Sequence, residues 1–131
     1  MSSPSTAAVG QIVPVRVMIE GAQGVGSAPF SIAFNPAVLQ FNRGTQGSFL
    51  GSDGWSVVFM VAPSSGGDRV IVGLSRLGAN TGVGGTGELC TLYFKVIGAG
   101  AANLHFVDAS LRDGRNTVLP ADFESATFTA Q

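Results

Sequence analysis

Val13, Val15, Val17 and Ile19 alternate with Pro14, Arg16, Met18 and Glu20. The same period of two recurs where Phe30, Ile32 and Phe34 alternate with Pro29, Ser31 and Ala33, and where Cys90, Leu92, Phe94 and Val96 alternate with Thr91, Tyr93, Lys95 and Ile97. A strand places successive side chains on opposite faces, so this pattern fixes one face on a core and turns the other outward. The runs are rich in β-branched and aromatic residues, which suit a half-buried pleated surface. Turn signals separate them at Gly21 to Gly26, Asn35-Pro36, Gly51 to Gly54, Pro63 to Gly67, Gly78 to Gly87, Gly98 to Gly100 and Asp113-Gly114. The pattern predicts strands near 4–9, 11–20, 27–34, 38–45, 55–62, 69–76, 88–97, 102–112 and 124–130, with at most one helical turn at 35–39. Many short strands between regular turns predict an all-β sandwich or jelly roll. Pro14 inside a strand run predicts an edge position or a break in pairing there.

The length of 131 residues fits one domain that can bury a sizeable core. Charged residues make up only 11% of the chain, against ~25% in ordinary soluble domains, and the net charge is −1. The seven basic residues are scattered singly, which excludes a nucleic-acid footprint. A surface this poor in charge suits contact with another surface. The single cysteine, Cys90, excludes an intrachain disulfide and reads as a small buried apolar residue. No apolar run reaches the ~18 residues of a membrane span, and Met1-Ser2-Ser3-Pro4 does not open like a signal peptide. The chain therefore reads as one domain, 1–131, cut from a longer protein.

Gly82-Val83-Gly84-Gly85-Thr86-Gly87 matches G-x-G-x-x-G literally. A dinucleotide site needs that loop to open a helix, whereas Glu88 to Val96 alternate like a strand. The segment is expected to be a flexible loop between strands. His105 is the only histidine. Asp108 stands three residues on, so the two side chains start on opposite strand faces, and no nucleophile elbow surrounds Ser75 or any other serine. The eight carboxylates are spread along the chain, and Asp53, Asp68 and Asp113 fit ordinary turn chemistry. No calcium loop, metal cluster, cofactor or catalytic set is expected. Trp55 and Tyr93 raise a carbohydrate-binding alternative with a polysaccharide ligand. One Trp and one Tyr are too few for the usual planar strip of stacking rings, and Trp55 is expected to pack at a strand start under the 51–54 loop.

Six segments in order resemble the cohesin domain family: VGQIVPVRVMIEGAQGV (9–25), SAPFSIAFNPAVLQF (27–41), GSFLGSDGW (47–55), DRVIVGLSRLG (68–78), GVGGTGELCTLYFKVIGAG (82–100) and ANLHFVDASLRDGRN (102–116). The resemblance covers nearly the whole chain and rests on the ordered set. It implies a nine-stranded jelly-roll sandwich that works as a non-catalytic protein-binding module, extracellular or at the cell surface. The implied partner is a dockerin, a small calcium-loaded helical module, or another surface domain. The implied docking face lies over the third, fifth, sixth and eighth strands. Carried onto this chain, that face holds Ser27, Pro29, Ser31 and Ala33 on the third strand and Ile71, Gly73 and Ser75 on the sixth, with His105 on the eighth. Cohesins that grip dockerins by hydrogen bonds carry Asn or Asp where this chain has Ser27 and Pro29. On the fifth strand Ser56, Val58 and Met60 alternate with Val57, Phe59 and Val61, and either set leaves apolar groups outside. Edge strands of such a sandwich can also pair across molecules, which leaves a homodimer open.

Overall fold

The computed structural model describes residues 1–77, 82–115 and 117–131. The strands are β1 (Thr6–Ala7), β2 (Ile12–Ser27), β3 (Phe30–Ala33), β4 (Leu39–Gln46), β5 (Val57–Pro63), β6 (Arg69–Arg76), β7 (Val83–Val96), β8 (Gly100–Val107), β9 (Leu111–Asp113), β10 (Val118–Leu119) and β11 (Ala126–Ala130). No helix occurs among the described residues. Residues 35–39 make a single turn, closed by the Val38 and Leu39 N–H groups donating to Asn35 O at 3.1 and 3.0 Å.

The sheet order runs β1-β11-β8-β3-β6-β2-β7-β4, with β5 on the far side of β6 and the β9–β10 pair beside the end of β2. Because β2 joins β6 only at its last residue, Ser27 opposite Ser75, the sheet curls there into two layers. The first layer is β1-β11-β8-β3-β6-β5 and the second is β2-β7-β4. Their inner faces meet in a core of Val13, Val15 and Leu92 from one side and Ile32, Val72 and Leu104 from the other, all at most 2% exposed. Phe94 lies among them, edge-on to Phe34 at 5.0 Å and to Phe41 at 5.8 Å between ring centroids. Each such fully buried side chain contributes roughly 1.5–3 kcal/mol of transfer free energy.

The third strand expected over 27–34 is one continuous track along β6. Ser27 pairs Ser75, the Ala28 N–H donates to Leu74 O, Phe30 pairs Val72, and the Phe34 N–H donates to Asp68 O, all in one register. Pro29 interrupts the ladder without cost to β6. Alternation aims its missing N–H away from β6, on the side where Pro29 O accepts the Ser110 N–H at 3.0 Å. Pro14 is placed the same way. The Val96 N–H donates to Gln11 O, so odd-numbered residues of β2 bond β7 and even-numbered ones face outward, where Arg16 forms a lone bridge with Ser2. The expected edge position holds.

Two expected loops are strand. The Gly21–Gly26 segment continues β2 to Ser27, and from Val83 the Gly-rich run belongs to β7; residues 78–81 lie outside the described residues. Val25 pairs Val83, Ala22 pairs Gly85 and Ile19 pairs Gly87, with register shifts between these pairs. The glycines serve bulges rather than turns. Gly85 takes φ +110°, which an L side chain resists, and a Cβ on Gly84 would fall 2.9 Å from Ala22 O. The helix that a dinucleotide loop requires is replaced by a paired strand. The strand expected over 102–112 breaks at Asp108, whose φ is +51°, into β8 and β9. That break and the two-residue β10 account for eleven segments where nine strands were expected.

Candidate docking face

The outer side of the first layer gathers the residues singled out from the sequence. Along 27–34 the even residues are buried and Ser27, Pro29, Ser31 and Ala33 are half-exposed on the outer side. On β6, Val70, Val72 and Leu74 face the core while Ile71, Gly73 and Ser75 face out. On β8, Leu104 is buried and His105 is exposed. Register lines these residues up across the strands. Val107, Ser31, Ile71 and Ala62 form one row, Ala33 stands between His105 and Arg69, and Ser75 stands between Ser27 and Val58.

The choice that periodicity leaves open on β5 is settled by the second layer. Val61 turns inward and lies against Gly44 of β4, and Val57 and Phe59 pack on the core with it. Val58 and Met60 are therefore outside, Met60 at 68% and Ile71 beside it at 53% exposure. Between them Gly73 has no side chain, and a Cβ there would meet nothing within 4 Å. The result is a shallow depression of ≈ 420 Å³ bordered by Ser27, Pro29, Val58, Met60, Gly73 and Ser75. Arg112 also borders the depression, and Arg69 stands exposed in the row of Ala33 and His105, so charge on this side is sparse and basic. The outer side of the second layer instead carries exposed Arg16, Glu20 and Lys95, with the Arg43 guanidinium 3.9 Å above the Tyr93 ring.

The alternative chemistries are not assembled. Ser75 and His105 share the outer side but sit on β6 and β8 with β3 between them. A cavity of ≈ 880 Å³ beside residues 119–124 is lined in part by Glu20, Asp122 and Glu124. Among the described residues, no hydrogen bond or ion pair ties any of these carboxylates to another ionisable side chain. No group of three potential metal ligands occurs among the described residues either. Trp55 and Tyr93 lie on different layers, so they do not form one stacking strip. Trp55 Nε1 donates to Leu77 O at 2.8 Å, fastening the ring at the head of β5.

Sequence reasoning missed one polar device. Arg76 is 4% exposed, donates to Leu50 O at 2.8 Å and is paired with Asp53. It secures the 47–56 connection over the end of β6. Asp53 also caps its own turn by accepting the Trp55 N–H, while Asp113 keeps to the expected turn role by accepting the Arg115 and Thr117 N–H groups. The signal was present, since Arg76 follows Val70, Val72 and Leu74 in core phase.

A family model for the cohesin domain matches residues 2–126. The chain belongs to the cohesin family. Cohesins are non-catalytic protein-binding modules, and solved cohesin modules share this fold. A non-cellulosomal cohesin from the archaeon Archaeoglobus fulgidus is 24% identical over 98% of this chain and 88% of its own, with a TM-score of 0.76. A type II cohesin from Acetivibrio cellulolyticus, in complex with an X-dockerin, gives 0.82 at 15% identity over 100% and 97%. A cohesin module from a Clostridium perfringens family 33 glycoside hydrolase gives 0.78 at 15% identity over 98% and 92%. At these identities the likeness establishes the jelly-roll sandwich. No match is found among curated protein sequences.

Proposed function

We propose that this cohesin domain is a receptor module whose outer face over β8, β3, β6 and β5 grips a dockerin-type protein partner in an extracellular or cell-surface assembly. The observation that carries this reading is the register-aligned surface on which Met60, Ile71 and Val58 stand exposed around Gly73, with Arg69 and Arg112 as its charges. Contiguous exposed apolar surface of a few hundred Å² marks interaction sites, and a specific interface needs roughly 800 Å² per partner, about the size of such a face. The Acetivibrio cellulolyticus neighbour in complex with an X-dockerin supports the partner class. Ser27 and Pro29, in place of hydrogen-bonding Asn or Asp, shift recognition toward apolar packing and shape. Ser31, Ala33, Ser75 and His105 then frame the apolar centre as its polar and small rim.

The test is calorimetric titration of the purified domain with calcium-loaded dockerin modules encoded in the same genome. Ser31→Arg and Ser75→Arg place a bulky charge on the outer side and leave the core untouched. Each is expected to weaken binding by about two orders of magnitude, with unchanged melting. Full binding by both variants moves the site off this sheet.

A further inference from the structure

The two layers have four edges, and they are not alike. The outer edge of β2 is partly covered, by the lone Arg16–Ser2 bridge and by β9 at Val25 and Ser27. β1, at one end of the first layer, is two residues long. β4, at the end of the second, carries Arg43 and an irregularity between Phe41 and Arg43. Shortness, charge and bulges are the ordinary means of keeping a sheet edge from pairing with another chain. β5 has none of them along its length. It pairs with β6 over seven consecutive residues without a register shift, and Ser56 to Ser64 contains no charged side chain. Only Pro63, at its end, limits it.

The hydrogen-bond phase of this edge follows from the two bonds that bracket it. The Leu77 N–H donates to Ser56 O and the Ser64 N–H to Arg69 O, both at 2.9 Å. In an antiparallel pair the bonded residues alternate, so Val58, Met60 and Ala62 complete the ladder with β6. The N–H and C=O groups of Val57, Phe59 and Val61 then point away from β6. Among the described residues β5 pairs with no other strand.

We propose that β5 pairs antiparallel with β5 of a second copy of this chain, about a two-fold axis at Phe59. That register uses all three edge-directed residues at once. Val57 faces the partner's Val61, Phe59 faces the partner's Phe59, and on the outer side Val58 faces the partner's Met60. Every cross-strand pair joins β-branched, aromatic or Met side chains, the combinations that stabilise neighbouring strands, and no like charges meet. The operator is the isologous two-fold typical of homodimers. A single strand edge buries little area, so the dimer is weak and concentration-dependent. It leaves the docking face uncovered and joins two such faces side by side in one sheet, independently of what docks there.

Sedimentation equilibrium of the intact chain, from ~10 µM to ~1 mM, is expected to show the mass doubling, as a weak interface allows. Val61→Pro removes an N–H that β6 does not use and is tolerated on an edge strand. It is expected to weaken association at least about tenfold, equivalent to roughly one hydrogen-bond pair. Should that variant fail to fold, amide exchange of the unaltered chain decides the matter. Phe59 and Val61 amides should slow as concentration rises, while Met60 stays protected throughout. A monomer across the whole range, edge amides insensitive to concentration, or a dimer that survives in folded Val61→Pro overturns the proposal. Ser31→Arg separates it from the docking face: the variant is expected to dimerise normally, and loss of the dimer there would place the contact on the face instead of the edge.

Discussion

Arg76 and Asp53 meet fork to fork: Nη1 lies 2.9 Å from Oδ1 and Nη2 lies 2.8 Å from Oδ2. The two are unequal partners, for the Arg76 side chain is 1% exposed and that of Asp53 is 47% exposed. The Arg76 guanidinium also lies 5.4 Å from the centre of the Trp55 ring, and its Nε has no partner. A buried cation is retained only because its counter-charge reaches in from the surface. Asp53→Asn is therefore expected to lower Tm, since it strands that charge. Adding Arg76→Met to Asp53→Asn should recover part of the loss, because removing both charges costs less than removing one. Thermal melts of the two single variants and the double variant check this, and an Asp53→Asn variant that melts like the parent would refute it.

The same pair predicts how the fold responds to acid. Hydrogen bonding from Arg76 holds the Asp53 carboxyl at about 2, below its ordinary 3.8. A carboxylate depressed in the folded state stabilises the fold above its unfolded pKa, and the contribution fades as pH falls through the folded value. Stability should be flat from neutral pH down to about 4 and then fall toward pH 2. Denaturant midpoints measured across that window should show the fall in the parent and a shallower one in Asp53→Asn.

The alternation of residues 27–34 and of β6 and β8 identified Ser31, Ile71 and His105 as outward, because one phase of each run is apolar and the other is not. β5 was silent. Val57 to Pro63 are apolar in both phases, so only the contact of Val61 with Gly44 across the layers decides which set is exposed. The Gly-rich segments were misread because a glycine at a bulge and one in a turn carry the same local signature. Only the pairing of Ala22 with Gly85 tells them apart. Arg76 stood in core phase, but Asp53 lies 23 residues away and is joined to it only by the fold.

Cys90 gives a check on the core phase of β7. It is buried, and that burial, helped by the nearby Glu88 charge, pushes its thiol up to about 12. Reaction with thiol reagents requires thiolate and access. The native domain should resist Ellman's reagent at pH 8 for as long as it stays folded and react fully in denaturant. Rapid labelling of the native domain would show β7 out of phase.

Gly73 offers two opposite substitutions at one place. Its backbone has no positive φ, and a Cβ there meets nothing within 4 Å. A strand-interior glycine costs conformational entropy without packing in return. Gly73→Ala should therefore raise stability by ~0.5–1 kcal/mol, which denaturant unfolding can resolve. The added methyl lies on the floor of the depression between Pro29 and Met60, so it should alter partner affinity little. Gly73→Trp starts from the same open Cβ position and projects outward, where it fills the depression and lifts any docked surface off Ile71 and Met60. It should keep the parent's melting behaviour while abolishing partner binding. A tryptophan variant that binds normally would mean that the partner does not settle over β6. Loss of folding in Gly73→Ala would mean that β6 is more crowded on its outer side than its neighbours show.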